Sequence, residues 1–293
     1  MSYMGIAGLQ LELAAQNNVA LICAEITRVK KRFPWVEMLV VGELASHGFD
    51  IGKAEPAGGD TEQRFSALAR KLGVWLVPGS YYERDGEHIY NTAPVINPQG
   101  EVVSRYRKIY PFLPYEKGVC PGDRFVVFDV PQVGRFGVSI CYDGWFPETT
   151  RSLMAMGAEV IIHPTLTNTN DREQEMVMAR ANAVMNQCYF VDINVGPPLG
   201  NGCSIVCDFD GNIVHQASGQ AEVITFEVDL TALRRARERG LMGLGQPLKS
   251  LRDNPVVFPA YQAALAPSEA LNQLGALKVP GPVNGDATTP QDD

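Results

Sequence analysis

Residues 136–151 read FGVSICYDGWFPETTR, and the architecture is decided here. Phe136 to Ile140 is a β-rich apolar run, the pattern of a buried strand. Asp143-Gly144 breaks the run, and Pro147 then opens a helix, since proline suits the first helical position. The reading therefore places Cys141 at a sharp strand-to-helix turn, exposed, rigidly held, and near the positive end of a helix dipole. Each of these features favours a reactive thiolate over an inert thiol. Serine nucleophiles are presented on elbows of the same kind. The pattern predicts a cysteine nucleophile whose base and oxyanion partner come from elsewhere in the chain.

On both sides of this turn, strands and helices alternate. Upstream, residues 4–13 read as a strand, 17–32 as a helix ending in Lys30-Lys31-Arg32, and 37–44 (EMLVVGEL) as a buried strand. A helix over 61–72 leads into VWLVPGSYYER, read as one further strand. YNTAPVINPQGEVVSRYRK reads as two strands joined at Asn97-Pro98-Gln99-Gly100. FVVFDV precedes the Cys141 strand. Downstream come a helix over 147–156, the strand EVIIHPT, the polar loop LTNTN, and an amphipathic helix from Asp171 to Gln187. YFVDINV and CSIVCDFDGNIVHQA supply three strands, with Asp210-Gly211 as a hairpin turn. VITFEVDL and a basic helix over 231–239 close the pattern. No solenoid period and no Gly/Ser linker interrupts it, so a single mixed α/β domain over residues 1–265 is expected. Residues 266–293 turn to Pro, Gly, Ala and Asp. This tail is either mobile or wraps a neighbouring subunit.

Composition excludes several classes. Apolar residues make up 45% and charged residues 20% of 293, ordinary for a globular enzyme with a sizeable core. The net charge of −8 supplies no basic stripe for nucleic acid or an anionic membrane. No apolar run approaches the roughly 20 residues that span a bilayer. The start, MSYMGIAGLQLEL, lacks the basic region of an export signal. A cytoplasmic protein with six reduced cysteines is expected. Cys203 and Cys207 would share one strand face and look like core. No second Cys or His pair stands at ligand spacing, and no Gly-rich phosphate motif follows a strand. Neither a metal nor an organic cofactor is therefore expected.

Two polar residues at strand ends, and a third on a loop, are candidates to join Cys141. Glu43 ends the hydrophobic run VVGEL, where partial burial makes a carboxylate a competent base. Lys108, in SRYRKIYPFLP, ends an alternating strand; a fixed ammonium there would stabilise a tetrahedral oxyanion. Glu116 follows on the same loop. Tyr142, Trp145, His163, Thr165 and Asn168 flank the cysteine turn or end the next strand and are candidate pocket residues. For Trp145, core packing is the other reading. His163 also raises the possibility of a Cys–His pair.

Glu in a GEL turn, Lys in YRKI and Cys in SICYD together resemble the nitrilase superfamily of carbon–nitrogen hydrolases. The likeness extends over residues of about 4 to 230, through PGSYYE, YNTAPVINPQGEV, the PGD at 121–123, CYDGWFPE and the DGNIV hairpin. The resemblance implies a four-layer α-β-β-α sandwich, a homodimer or larger homo-oligomer, and no metal or organic cofactor. It implies Glu43 as base, Lys108 as oxyanion stabiliser, Cys141 as nucleophile, and Glu116 as a second glutamate positioning a small-molecule amide. Tyr142-Asp143 stands where true nitrilases usually carry Trp-Glu, which points to an amidase-type branch acting on a primary carboxamide. Lys117-Gly118-Val119 departs from the aromatic-rich continuation of aliphatic amidases, which argues against a substrate as small as formamide. An N-carbamoyl amino acid hydrolase would need a carboxylate-binding arginine, for which Arg172 and Arg180 are the best placed. A nitrilase and, in a different class, a non-catalytic scaffold are the remaining alternatives.

Overall fold

A computed structural model describes residues 2–262 and 269–279. The described residues form two units, one of residues 2–111 and 118–254, the other of residues 112–117, 255–262 and 269–279. The expected domain boundary at 265–266 lies outside the described residues. Of the expected tail only 269–279 is described, and it holds one short helix, Glu269–Asn272.

In the first unit the chain runs β1 (Tyr3–Gln10), α1 (Val19–Arg32), β2 (Met38–Val41), β3 (Glu55–Pro56), α2 (Asp60–Leu72), β4 (Trp75–Val77), β5 (Tyr81–Asp85), β6 (His88–Ile96) and β7 (Val102–Arg107). It continues through β8 (Val126–Val130), β9 (Gly134–Val138), α3 (Pro147–Ala155), β10 (Val160–Thr165), α4 (Arg172–Asn186), β11 (Tyr189–Asn194), β12 (Ile205–Cys207), β13 (Ile213–Gln216), β14 (Glu222–Asp229) and α5 (Leu230–Arg239). One sheet has the order β14-β1-β2-β4-β6-β5-β3, with β7 also paired to β6. The other has the order β13-β12-β11-β10-β9-β8. The middle strands of both are parallel, β1 to β2 to β4 and β9 to β10 to β11.

The period-2 alternation of these strands builds the layers. Ile6, Met38, Val40 and Val77 of the first sheet pack on Phe136, Val138, Val160, Ile162 and Val191 of the second. The opposite parity of the first sheet, Ala7, Leu9, Leu39, Val41 and Leu76, packs under α1 and α2 through Ile22, Ile26, Phe65 and Ala69. The opposite parity of the second, Ile161 and Phe190, lies under α3 and α4 with Leu153, Ala179 and Ala183. The result is the expected α-β-β-α sandwich. Each fully buried aliphatic side chain contributes about 1.5–3 kcal/mol.

Two local readings need correction. VWLVPGSYYER is two strands, because Gly79 turns at φ +81° between β4 and β5. A Cβ at Gly79 would lie 1.8 Å from the Gly42 carbonyl oxygen, so only glycine fits beside the end of β2. Cys203 is not on the strand with Cys207. It precedes β12 with φ +58° and is partly exposed, while Cys207 is buried. Among the described residues, no helix is long and apolar enough to cross a membrane.

Candidate active site

Glu43 follows β2 by two residues, and its backbone N–H donates to the carbonyl of Thr165 at the end of β10, 3.1 Å away. That bond ties the first sheet to the second at the site. Gly42 permits the approach, since a Cβ there would meet Val195 Cγ2 at 2.6 Å. Leu44 turns at φ +48°, and its N–H donates to Ser80 Oγ. Glu43 is only 3% exposed.

Lys108 is the first residue past β7 and is 2% exposed. Its Nζ donates to Glu43 Oε1 at 2.8 Å. Asn91 Nδ2, from the middle of β6, donates to the same oxygen at 2.8 Å. The Asn91 carbonyl in turn accepts the Lys108 backbone N–H at 2.8 Å. Asn91 therefore holds both charged residues, and sequence reading did not single it out. Asparagine is depleted in strands, so its place in an otherwise β-forming run is the signal that marks it.

Cys141 opens a 3-10 turn, Cys141–Trp145, three residues after β9 ends at Val138 and before proline begins α3. Its φ is +45°, a left-handed conformation that costs a non-glycine residue about 1–3 kcal/mol. The elbow anticipated from the sequence is present, but its electrostatics differ. Burial pushes the thiol well above its ordinary range, and the Glu43 carboxylate adds to the effect. Lys108 and the backbone N–H of Leu166 pull the other way and do not prevail. The resting group is a thiol that needs a base.

Asp143, fully buried, accepts from the backbone N–H of Ile140, the hydroxyl of Tyr106 and the backbone N–H of Tyr110. Burial raises its pKa to about 6 against these donors. His163 shares the parity of Ile161, and its ring lies 4.9 Å from that of Phe190. Its Nδ1 is 2.7 Å from Ser139 Oγ. Burial lowers its pKa to about 4, so it is a poor base for the thiol. Cys141, Trp145 and His163 line one cavity of about 10 Å³ with Glu175, Asn182 and Asp192. That is room for about one water.

Of the other candidate pocket residues, Trp145 is 37% exposed rather than packed in the core. Tyr142 meets Phe146 edge-on at 5.2 Å. Thr165 is buried and joins Glu43 through its carbonyl. Asn168 is exposed on the loop after β10. Glu116 belongs to the second unit, where its carboxylate accepts the Phe112 N–H at 2.5 Å. Arg172 is buried against Asp192, Glu175 and the Cys203 carbonyl, and Arg180 donates to the Gly211 carbonyl. The Arg172 guanidinium is thus already matched by two carboxylates and a carbonyl. Among the described residues no three His, Cys, Asp or Glu side chains group as metal ligands.

The depressed pKa of His163 has a measurable consequence. An imidazole that is neutral when folded takes up a proton on unfolding as pH falls from 6.5 towards 4. Its contribution to stability is complete above that window and lost within it, on the order of 3 kcal/mol. His163→Asn should flatten the fall, read from urea midpoints between pH 7 and 4.5. Comparing the two proteins cancels the opposing contribution of Asp143. An unchanged slope would show that the imidazole is not held neutral.

The four-layer sandwich, with a carboxylate, an ammonium and a cysteine elbow just past the ends of β2, β7 and β9, is the nitrilase fold. The chain belongs to the carbon–nitrogen hydrolase family, which residues 5–238 match, and is an amidase-type enzyme acting on carbon–nitrogen bonds. A formamidase of Bacillus thuringiensis (strain Al Hakam) is 31% identical over 261 residues, covering 81% of this chain and 78% of the relative. Nit3 of Saccharomyces cerevisiae, a member of branch 10 of the nitrilase superfamily, superposes with a TM-score of 0.74 at 29% identity. The match covers 81% of this chain and 94% of Nit3. A carbon-nitrogen hydrolase of Helicobacter pylori G27 shares the fold, with a TM-score of 0.76 at 24% identity over 89% of this chain and 98% of its own.

Proposed function

We propose that the protein hydrolyses a primary carboxamide to a carboxylic acid and ammonia through a thioester on Cys141. One observation carries the reading. Glu43 Oε1 accepts from Lys108 and Asn91 beside a thiol that burial keeps protonated. Glu43 takes the thiol proton while Cys141 Sγ attacks the carbonyl carbon. A C–S bond forms and the carbonyl π pair moves onto oxygen. The Lys108 ammonium and the Tyr142 backbone N–H meet that oxyanion. Its collapse breaks the C–N bond, and ammonia leaves with the proton from Glu43. Glu43 then deprotonates water, which attacks the thioester, and the proton returns to the departing sulfur. In this reading Glu116 orients the amide group, and no cofactor takes part.

The formamidase relatives support an amide substrate. The engagement of the buried Arg172 with two carboxylates and a carbonyl supports a carboxamide over a carbamoyl amino acid. Exposed Val177 and Met185 on α4 support the further reading of a homodimer or larger assembly. The purified protein should release ammonia from at least one member of a panel running from formamide to longer aliphatic and aromatic amides. Intact-mass spectrometry should find the acyl adduct on Cys141 alone. No ammonia from any of them would overturn the substrate assignment. A His163→Asn enzyme should still acylate; loss of acylation there would restore the Cys–His pair.

A further inference from the structure

We infer that Asp143 is a positioning residue that sets the Lys108 ammonium against the Cys141 nucleophile, an inference that rests on the amidase reading above. The carboxylate bridges the two segments that carry those groups. On the nucleophile side, Asp143 Oδ2 accepts the N–H of Ile140, the residue before Cys141, at 2.9 Å. On the lysine side, Oδ2 accepts the Tyr106 hydroxyl at 2.7 Å and Oδ1 accepts the Tyr110 N–H at 2.9 Å. Tyr106 and Tyr110 stand two residues before and two after Lys108. One fully buried side chain thus grips both flanks of the lysine and the residue that presents the thiol.

A second contact joins the same segments. The Tyr110 ring stacks on Phe146, centroids 3.6 Å apart and planes 11° from parallel. Phe146 ends the 3-10 turn begun by Cys141, and its N–H donates to the Asp143 carbonyl at 3.2 Å. Lys108 and the elbow lie on different sheets, β7 in the first and β9 in the second. No ladder bond between those two strands fixes their offset. The carboxylate supplies such a tie at the point where a tetrahedral intermediate would form. All three donors are aimed at oxygens, so an amide in its place would set an N–H₂ group against one of them. Displacing the ammonium by a fraction of an ångström weakens its contact with the oxyanion more than substrate binding.

The test is a pair of double-mutant cycles on ammonia release. Asp143→Asn should lower kcat by about 30–100-fold with KM within about threefold, because misplacement of a transition-state contact acts on kcat. In the Lys108→Ala background the same change should cost less than about threefold, since no ammonium remains to be positioned. Equal losses in both backgrounds would reduce Asp143 to a fold-stabilising group and overturn the inference. Should Asp143→Asn fail to fold, Tyr106→Phe removes one of the three donors and keeps the carboxylate. It should lower kcat by about fivefold in the parent and by less than twofold beside Lys108→Ala. Equal effects there overturn the inference too. A parent enzyme that releases no ammonia would instead remove the amidase reading.

Discussion

Glu43→Gln should lower amide turnover by at least about 10³-fold while the protein stays folded, because a general base contributes about 10²–10⁴ to each step it serves. Glutamine keeps an oxygen at the position of Oε1, so Asn91 and Lys108 retain an acceptor. What disappears is the capacity to take a proton. The thiol of Cys141 is pushed up by burial, so without a base the thiolate is scarce at neutral pH. The same carboxylate is asked to deprotonate the hydrolytic water, so both half-reactions should slow. Steady-state ammonia release measures the first, and the decay of an acyl-enzyme followed by intact mass measures the second. A variant that kept more than about a tenth of parent activity would mean the base lies elsewhere.

Lys108→Met should cost about 10²–10³ in kcat, the usual loss for one oxyanion donor. It should also destabilise the protein by about 3–5 kcal/mol, since removing one partner leaves the other charge buried and uncompensated. Glu43 and Lys108 are both almost fully buried and 2.8 Å apart, so the pair meets the condition for that penalty. The stability loss should be largely repaired in the Glu43→Gln, Lys108→Met double variant, where no buried charge is stranded. Activity should not return. Denaturant midpoints of the four proteins separate the two effects. Additive losses of stability in the double variant would show that the pair is not coupled in the folded state.

How much of this was legible in the chain differs residue by residue. Glu43, Lys108 and Cys141 stand out because each ends an apolar or alternating run with a polar group, and strand periodicity is local. The mixed α/β character follows from the same alternation, while the four-layer sandwich was what the resemblance to the nitrilase superfamily implied. Asn91 could be flagged as an odd residue within a strand, but not as the shared support of Glu43 and Lys108. Its bond to Glu43 spans 48 residues of sequence. Asp143 reads as a turn residue because Asp-Gly is a local signal. Its donors Tyr106 and Tyr110 come from a strand end in the other sheet. Trp145 was ambiguous between pocket and core, and only the packing around the 3-10 turn leaves it partly in solvent.

The thiol shows the division most clearly. A strand, a break and a proline-led helix are short-range patterns, and together they specified the elbow that carries Cys141. They also suggested a helix dipole lowering the thiol pKa. The protonation state was decided by what the other segments bring to the sulfur, which is burial and the Glu43 carboxylate. Desolvation and charge proximity depend on distances between residues far apart in the chain, and no local pattern encodes those distances.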